Sequence, residues 1–239
     1  MSKLVLKYRF TFPDSSERAF ALEMDRDTAE LTPSTRKDLP AWTELGFNQC
    51  TGCPFTASAG MRCPAAVHLS TVISGFEDLV SYDTVRVTVE SEERSVTATL
   101  SAQQALASLM GLVMASSGCP KTAVFRPMAR FHLPFSSESE TAYRVAAMYL
   151  VAQHFADRDG APADLKLEQL ERVYRGVHAV NRGMAQRLRA ATRQDAIVNA
   201  IVLLDVYSSL VPAAIHDILG EIRPAFEALL QSESDEVTK

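Results

Sequence analysis

An α+β fold, with a small antiparallel sheet of two hairpins packed beside a C-terminal helical bundle, is predicted from two observations. Before residue 101, apolar and polar residues alternate in short stretches, the period of half-buried strands. After Ser101, apolar residues recur at helical spacing almost to the end. Strands gathered early and helices gathered late indicate α+β rather than a βαβ fold.

The elements follow in order. Leu4, Leu6, Tyr8, Phe10 and Phe12 share one face of a first strand. Pro13-Asp14-Ser15-Ser16 has turn chemistry, and Arg18 to Met24 is the return strand. Asp25 to Trp42 holds Pro33 and Pro40 and is loop-rich. Gly46 to Pro64 has little periodicity and carries three cysteines, so something other than a core must hold it. Ala65 to Val80 suits a helix. Thr84 to Glu90 and Arg94 to Leu100 alternate again and form a second hairpin. An isolated hairpin is marginal, so the two are expected to merge into one four-stranded sheet with the cysteine loop inserted between its halves.

Ser101 is a good N-cap for a helix over Ala102–Ser116, with Gly118 as its C′ residue. Lys121 to Pro134 is basic and broken by prolines. Ser136 or Ser137 starts a helix reaching about Ala156. From Leu165 to about Thr192, Leu170, Val173, Val177, Val180, Met184 and Leu188 share a face. Asp195 to Val211 is apolar nearly all round and is expected to be a central buried helix. Pro212 and Pro224 suit first-turn positions of further helices. The organisation expected is a β-rich region over 1–100 with the cysteine loop at 46–64, a helical bundle over 101–231 forming one compact unit with it, and a flexible polar tail over 232–239.

Composition narrows the function classes. The 239 residues carry 24 Lys+Arg against 29 Asp+Glu, a formal charge of −5. That balance gives nucleic-acid binding no support. With only 10 Gly and 11 Pro, and 47% hydrophobic residues, collagen-like and disordered classes are excluded. The N-terminal residues lack a signal-peptide pattern. The longest apolar run, Ala196 to Val211, is too short to span a bilayer. A cytoplasmic protein without membrane insertion is expected, whose cysteines serve as ligands, redox groups or core residues rather than disulfides.

The cysteines are Cys50, Cys53, Cys63 and Cys119. Cys50-Thr51-Gly52-Cys53 lets two thiolates meet one metal centre, and two more soft ligands complete tetrahedral zinc or a four-iron cluster. The count meets that need with none left over. Cys53, Cys63 and Cys119 each precede a proline, which removes a backbone donor and fixes the chain direction beyond the ligand. This Cys-Pro step resembles the ligand segments of ferredoxin-type four-iron proteins. The resemblance covers the dipeptides alone, because Cys63 and Cys119 are remote from the first pair. It implies a [4Fe-4S] cluster on Cys50, Cys53, Cys63 and Cys119, with Zn2+ as the alternative. His68, five residues after Cys63, could replace one cysteine. Either centre would carry a net charge of about −2, for which Arg62 and Lys121 are nearby cations. Unrelated core cysteines are the plain alternative.

Other candidates are weaker. Lys121, Arg126, Arg130 and His132 could form an anion pocket, or could simply pair with distant carboxylates. Arg182, Arg189 and Arg193 form a stripe without local acids, read as a solvated face. His154, His178 and His216 are read as core-edge or surface histidines. Asp205, within an apolar helix, needs a partner such as an arginine or a backbone donor. No motif for a triad, phosphate loop, dinucleotide fold or zinc protease occurs. The expected function is therefore an iron–sulfur protein in sensing, electron transfer or regulation. The alternatives are a structural-zinc protein and an enzyme whose site lies near the metal centre and the 121–132 segment. A protein partner or a homodimer through the helical region is expected.

Overall fold

The computed structural model of the chain describes residues 2–76, 79–192 and 195–236. It is α+β, as the patterning predicts. β1 (Lys3–Thr11) and β2 (Glu17–Asp25) form the first hairpin, and β3 (Thr84–Glu90) and β4 (Ser95–Ser101) the second. They merge into one antiparallel sheet of order β2-β1-β3-β4, with β1 and β3 in the middle. Tyr8 pairs with Val89 and Phe10 with Val87, so both strands turn the same face to the core. Leu4, Leu6, Tyr8, Phe10, Val85, Val87 and Val89 are all buried there.

Helix α1 (Pro64–Ile73) starts with proline in its first turn, where the missing N–H costs nothing. It ends well before the expected Val80. The chain leaves the helix to seat Phe76 in the core, 4.8 Å from the Phe10 ring and 5.1 Å from Phe20. Gly75 permits this exit, since a Cβ there would stand 2.9 Å from the Phe20 ring. Residues 77 and 78 lie outside the described residues.

Helix α2 (Ala102–Ser116) has the expected bounds, with Ser101 and Gln104 closing a capping box. It is buried on nearly all sides, including Ala105, Leu106, Leu109, Met110 and Val113. The Tyr8 hydroxyl bonds Ser108 of this helix at 2.9 Å and His132 at 2.5 Å. A 3₁₀ turn (Ala123–Phe125) and the short α3 (Arg126–Arg130) follow. Helix α4 (Glu138–Arg158) is opened by Ser137, which accepts from the Glu140 amide while Glu140 accepts from the Ser137 amide. Helix α5 (Leu170–Ala191) buries Leu170, Val177, Val180, Met184 and Leu188, the predicted face.

Helix α6 (Asp195–Ile222) departs from expectation twice. Ala196, Ile197, Ala200 and Ile201 are buried, but Val206, Tyr207 and Leu210 are exposed, so α2 rather than α6 is the central buried helix. Pro212 lies inside α6 and not at the start of another helix. It lacks the N–H that would reach the Ser208 carbonyl, yet Ser208, Val211, Ile215 and Ile218 continue one buried stripe past it. By length and composition the helical run Asp195–Gln231 is apolar enough to cross a membrane, as a soluble core helix also can be. The expected limit at Val211 ignored that continuation. Pro224 does occupy a first turn, that of a 3₁₀ segment (Arg223–Phe226). Helix α7 (Glu227–Glu236) enters the stretch expected as tail, of which 237–239 lie outside the described residues.

The chain divides into two compact units, 1–135 with 172–209, and 136–171 with 210–239. The sheet cannot shed its apolar face without α2, and α2 needs α6, whose Leu204 would stand 3.4 Å from a Cβ on Gly111. In the second unit, Asp164 organises the loop after α4. It accepts from the Tyr149 hydroxyl at 2.8 Å and the Gln169 amide at 2.7 Å.

Phe10 joins the sheet to the α1 exit and is fully buried. Phe10→Ala should therefore destabilise the protein by about 3–5 kcal/mol, read as a lower denaturant midpoint with an unchanged slope.

Candidate metal centre

The cysteines come from three segments of the first unit, and backbone bonding draws those segments together. Cys50-Thr51-Gly52-Cys53 is a turn, closed by the Cys53 amide donating to the Cys50 carbonyl at 3.0 Å. Gly52 takes φ +64°, a left-handed conformation that glycine adopts freely. Cys63 is the N-cap of α1, and its amide donates to the Thr43 carbonyl at 2.8 Å. Cys119 follows α2 after Gly118, which has φ +84°. Its amide donates to the Ser117 hydroxyl at 3.3 Å, and its carbonyl accepts from Ala123.

Close approaches tie the segments to one another. The Lys121 ammonium donates to the Thr51 carbonyl at 2.7 Å, joining the Cys119 loop to the Cys50–Cys53 turn. A Cβ on Gly118 would stand 4.0 Å from the Pro64 ring, so the Cys119 loop also lies against the start of α1. Helix α5 closes the site. The Cys50 thiol lies 3.9 Å from the Val180 carbonyl. At Gly183 a Cβ would meet the Cys50 sulfur at 2.6 Å, so only glycine allows this approach.

One turn further along α5, Arg187 is fully buried. Its guanidinium donates to the carbonyls of Trp42 and Glu44 at 2.7 Å each and of Leu45 at 2.8 Å. Its Nε is buried without a hydrogen-bond partner. None of the ion pairs among the described residues involves it.

All four cysteines are free thiols. Burial pushes the Cys50 thiol up to about 11, and Cys63, Cys119 and Cys53 each push it the same way, while Arg187 opposes them. Burial also raises Cys63. The first-turn amides of Ala66 and Ala65 and the charge of Arg187 pull it back, and Cys119 adds to the rise. Among the described residues no three His, Cys, Asp or Glu side chains stand close enough to hold a metal ion as placed. His68 has Glu30 as its charged neighbour, and burial lowers its pKa.

The remaining candidates are engaged elsewhere. Arg62 donates to the Pro40 carbonyl and the Thr43 hydroxyl, bracing the 40–44 segment. Arg126 pairs with Glu30 at 2.6 Å, the distant-carboxylate arrangement. Arg130 lies over the Phe131 ring, and His132 bonds Tyr8. Arg182 and Arg189 are exposed, while Arg193 lies outside the described residues. Asp205 finds its partner in His178, at 2.7 Å from Nδ1, rather than in an arginine. Ser209 approaches the same nitrogen at 3.2 Å, so the three do not form a relay through both ring nitrogens.

Sequence reasoning missed Arg187 and Gly183. A signal existed for Arg187: it lies three residues after Met184 and seven after Val180, on the apolar face of α5. Nothing local marked Gly183, whose role depends on a loop more than a hundred residues away.

A family model described as a domain of unknown function, DUF6901, matches residues 6–227. The chain belongs to that family. Neither the curated proteins nor the solved structures hold a match to it.

Two glycines of α5 make a paired test. Replacing glycine by alanine within a helix normally stabilises by about 1 kcal/mol. Gly176→Ala, where a Cβ meets nothing within 4 Å, should do so. Gly183→Ala should instead lower the thermal midpoint, because the new methyl displaces Cys50. Equal shifts for the two variants would show that α5 does not press on the turn.

Proposed function

We propose that this member of the DUF6901 family binds a [4Fe-4S] cluster through Cys50, Cys53, Cys63 and Cys119 and uses it in electron transfer or sensing. What supports this is that the segments bearing the thiols are tied together, with Lys121 donating to the Thr51 carbonyl, Gly183 seated against Cys50 and Gly118 lying against Pro64. The turn glycine, the α1 amides and the buried guanidinium all suit a centre of net negative charge. The Tyr8, Arg126 and Arg130 contacts leave the 121–132 segment less suited to hold an anionic substrate.

Anaerobic reconstitution with iron and sulfide tests the reading. A brown protein absorbing at about 400 nm, with about four iron atoms per chain, is expected. A colourless protein with one zinc would select the structural-zinc alternative, and no bound metal would return the cysteines to core packing. Each single Cys→Ser change should lower iron content and thermal stability together. A variant retaining full iron removes that residue from the ligand set.

Metal uptake should also depend on pH. Burial favours the protonated thiol of Cys50, so the metal must displace a proton that is harder to remove than in a free cysteine. Protons compete more weakly as pH rises, so retention against a chelator should strengthen from about pH 6 to about pH 8. A flat profile would exclude thiolate ligation.

A further inference from the structure

We infer that the outer face of α4 is a dimer interface, on which a second copy of this chain packs antiparallel about a two-fold axis at Tyr149. The helix is apolar on two opposite sides. Ala142, Val145, Ala146 and Tyr149 are its buried face. On the other side Tyr143, Val151 and Phe155 are 48%, 52% and 57% exposed, and Leu150 is 38% exposed. With Ala147 they make one stripe at helical spacing. A surface helix needs one apolar face, the one that covers its own core. Single exposed apolar residues are ordinary, whereas a contiguous stripe marks a contact. Tyr143 extends the patch to the Phe226 ring of the same unit, 6.1 Å away between centroids.

The charges at the ends of the stripe select the occupant. Glu140 opens it and Arg158 closes it, and both are exposed. Their separation is five helical turns, so both stand on the side of the stripe, about 27 Å apart. Asp157 is turned by about 100° from Arg158, away from the seam. None of the ion pairs among the described residues involves Arg158. Glu140 is held in place by accepting the Ser137 amide. A two-fold axis at residue 149 sets Glu140 opposite the partner's Arg158. The same register sets Tyr143 opposite Phe155 and Ala147 opposite Val151, because all three pairs share one midpoint. Leu150, beside the axis, meets its own copy. Arg144 and His154 share that midpoint too, and an unprotonated imidazole can accept from a guanidinium. Antiparallel packing also places the helix dipoles head to tail. A parallel pair would set Glu140 against Glu140. A lipid surface would cover the apolar residues and leave the acid and base at the ends without a use. The stripe is thus complementary to itself, as a closed two-fold interface requires.

One helix pair is small for a specific interface, so the dimer should be reversible. Sedimentation equilibrium of the full chain over a concentration series tests this. Val151→Glu puts two like charges into the seam at an exposed position and should weaken the dimer tenfold or more, with the thermal midpoint confirming that the chain still folds. Arg158→Glu and Glu140→Lys should each weaken self-association, since each sets like charges together at both ends. Mixed in equal amounts, these two variants should recover the dimer, because every acid then meets a base. Added salt should weaken the wild-type dimer and strengthen that of Arg158→Glu, a comparison that stands even if Glu140→Lys, which loses its cap bond, does not fold. A wild-type chain that stays monomeric up to about 1 mM overturns the inference. If that monomer sediments with phosphatidylcholine vesicles, the stripe belongs to a lipid surface instead. A dimer that Val151→Glu leaves intact lies elsewhere on the chain, and a mixture that does not recover the dimer overturns the antiparallel register.

Discussion

The fan of bonds from Arg187 to the carbonyls of Trp42, Glu44 and Leu45 fixes a part of the chain whose own secondary structure is one 3₁₀ turn, Ala41–Thr43. A loop of this kind carries backbone acceptors that must be satisfied if they are buried. Among the described residues the segment takes part in one isolated bridge, Glu44 with Arg62, rather than in a strand ladder. One side chain from a distant helix satisfies those acceptors instead. The consequence extends along the chain: Thr43 then presents its carbonyl to the Cys63 amide, and Leu45 takes the Met61 carbonyl. The start of α1 is thus positioned by an arginine it never touches in sequence.

The other arm of the site depends on α2. That helix lies over the sheet and ends where Ser116 gives its carbonyl to Leu31 and Met114 gives its carbonyl to the Thr122 hydroxyl at 2.6 Å. Gly118 turns the chain left-handed between those anchors. The Cys119 loop is therefore as well determined as the helix it follows, although it is not regular structure. Sheet, α2 and α5 each contribute rigidity to a different segment of the candidate centre. This is the arrangement that preorganised ligand sites need.

Most of the fold was legible in the sequence, because periodicity reports burial directly. The alternation of Leu4 to Phe10 and of Val85 to Val89 located the two central strands, and Ser101 and Gly118 marked the ends of α2. What was not legible depended on partners remote in sequence. The end of α1 is set by Phe76 finding Phe10 and Phe20, and proline at 212 did not break α6 because a buried stripe runs past it. Cys50, Cys53, Cys63 and Cys119 stood out in the sequence by type and spacing. Their supporting residues did not, since Gly183 matters only once Cys50 is against it and His178 was paired with Asp205 only by the packing of two helices.

Arginines on α5 show how phase decides chemistry. Arg182 and Arg189 lie on the outer face and are exposed, and such charges are screened and of little energetic consequence. Arg187 differs from them by its angular position alone, and that places a full charge where the dielectric is low. Burial raises the thiols of Cys50 and Cys63, and the Arg187 charge opposes that rise without cancelling it. A hydrophobic replacement of similar volume would be the ordinary solution for a position between Met184 and Leu188. Here such a replacement would leave the carbonyls of Trp42, Glu44 and Leu45 without their donors, so the guanidinium is retained for the hydrogen bonds of its planar fork. The same helix seats Gly183 against Cys50, so the arginine that fixes the 42–45 segment and the glycine that admits the cysteine turn act from one element.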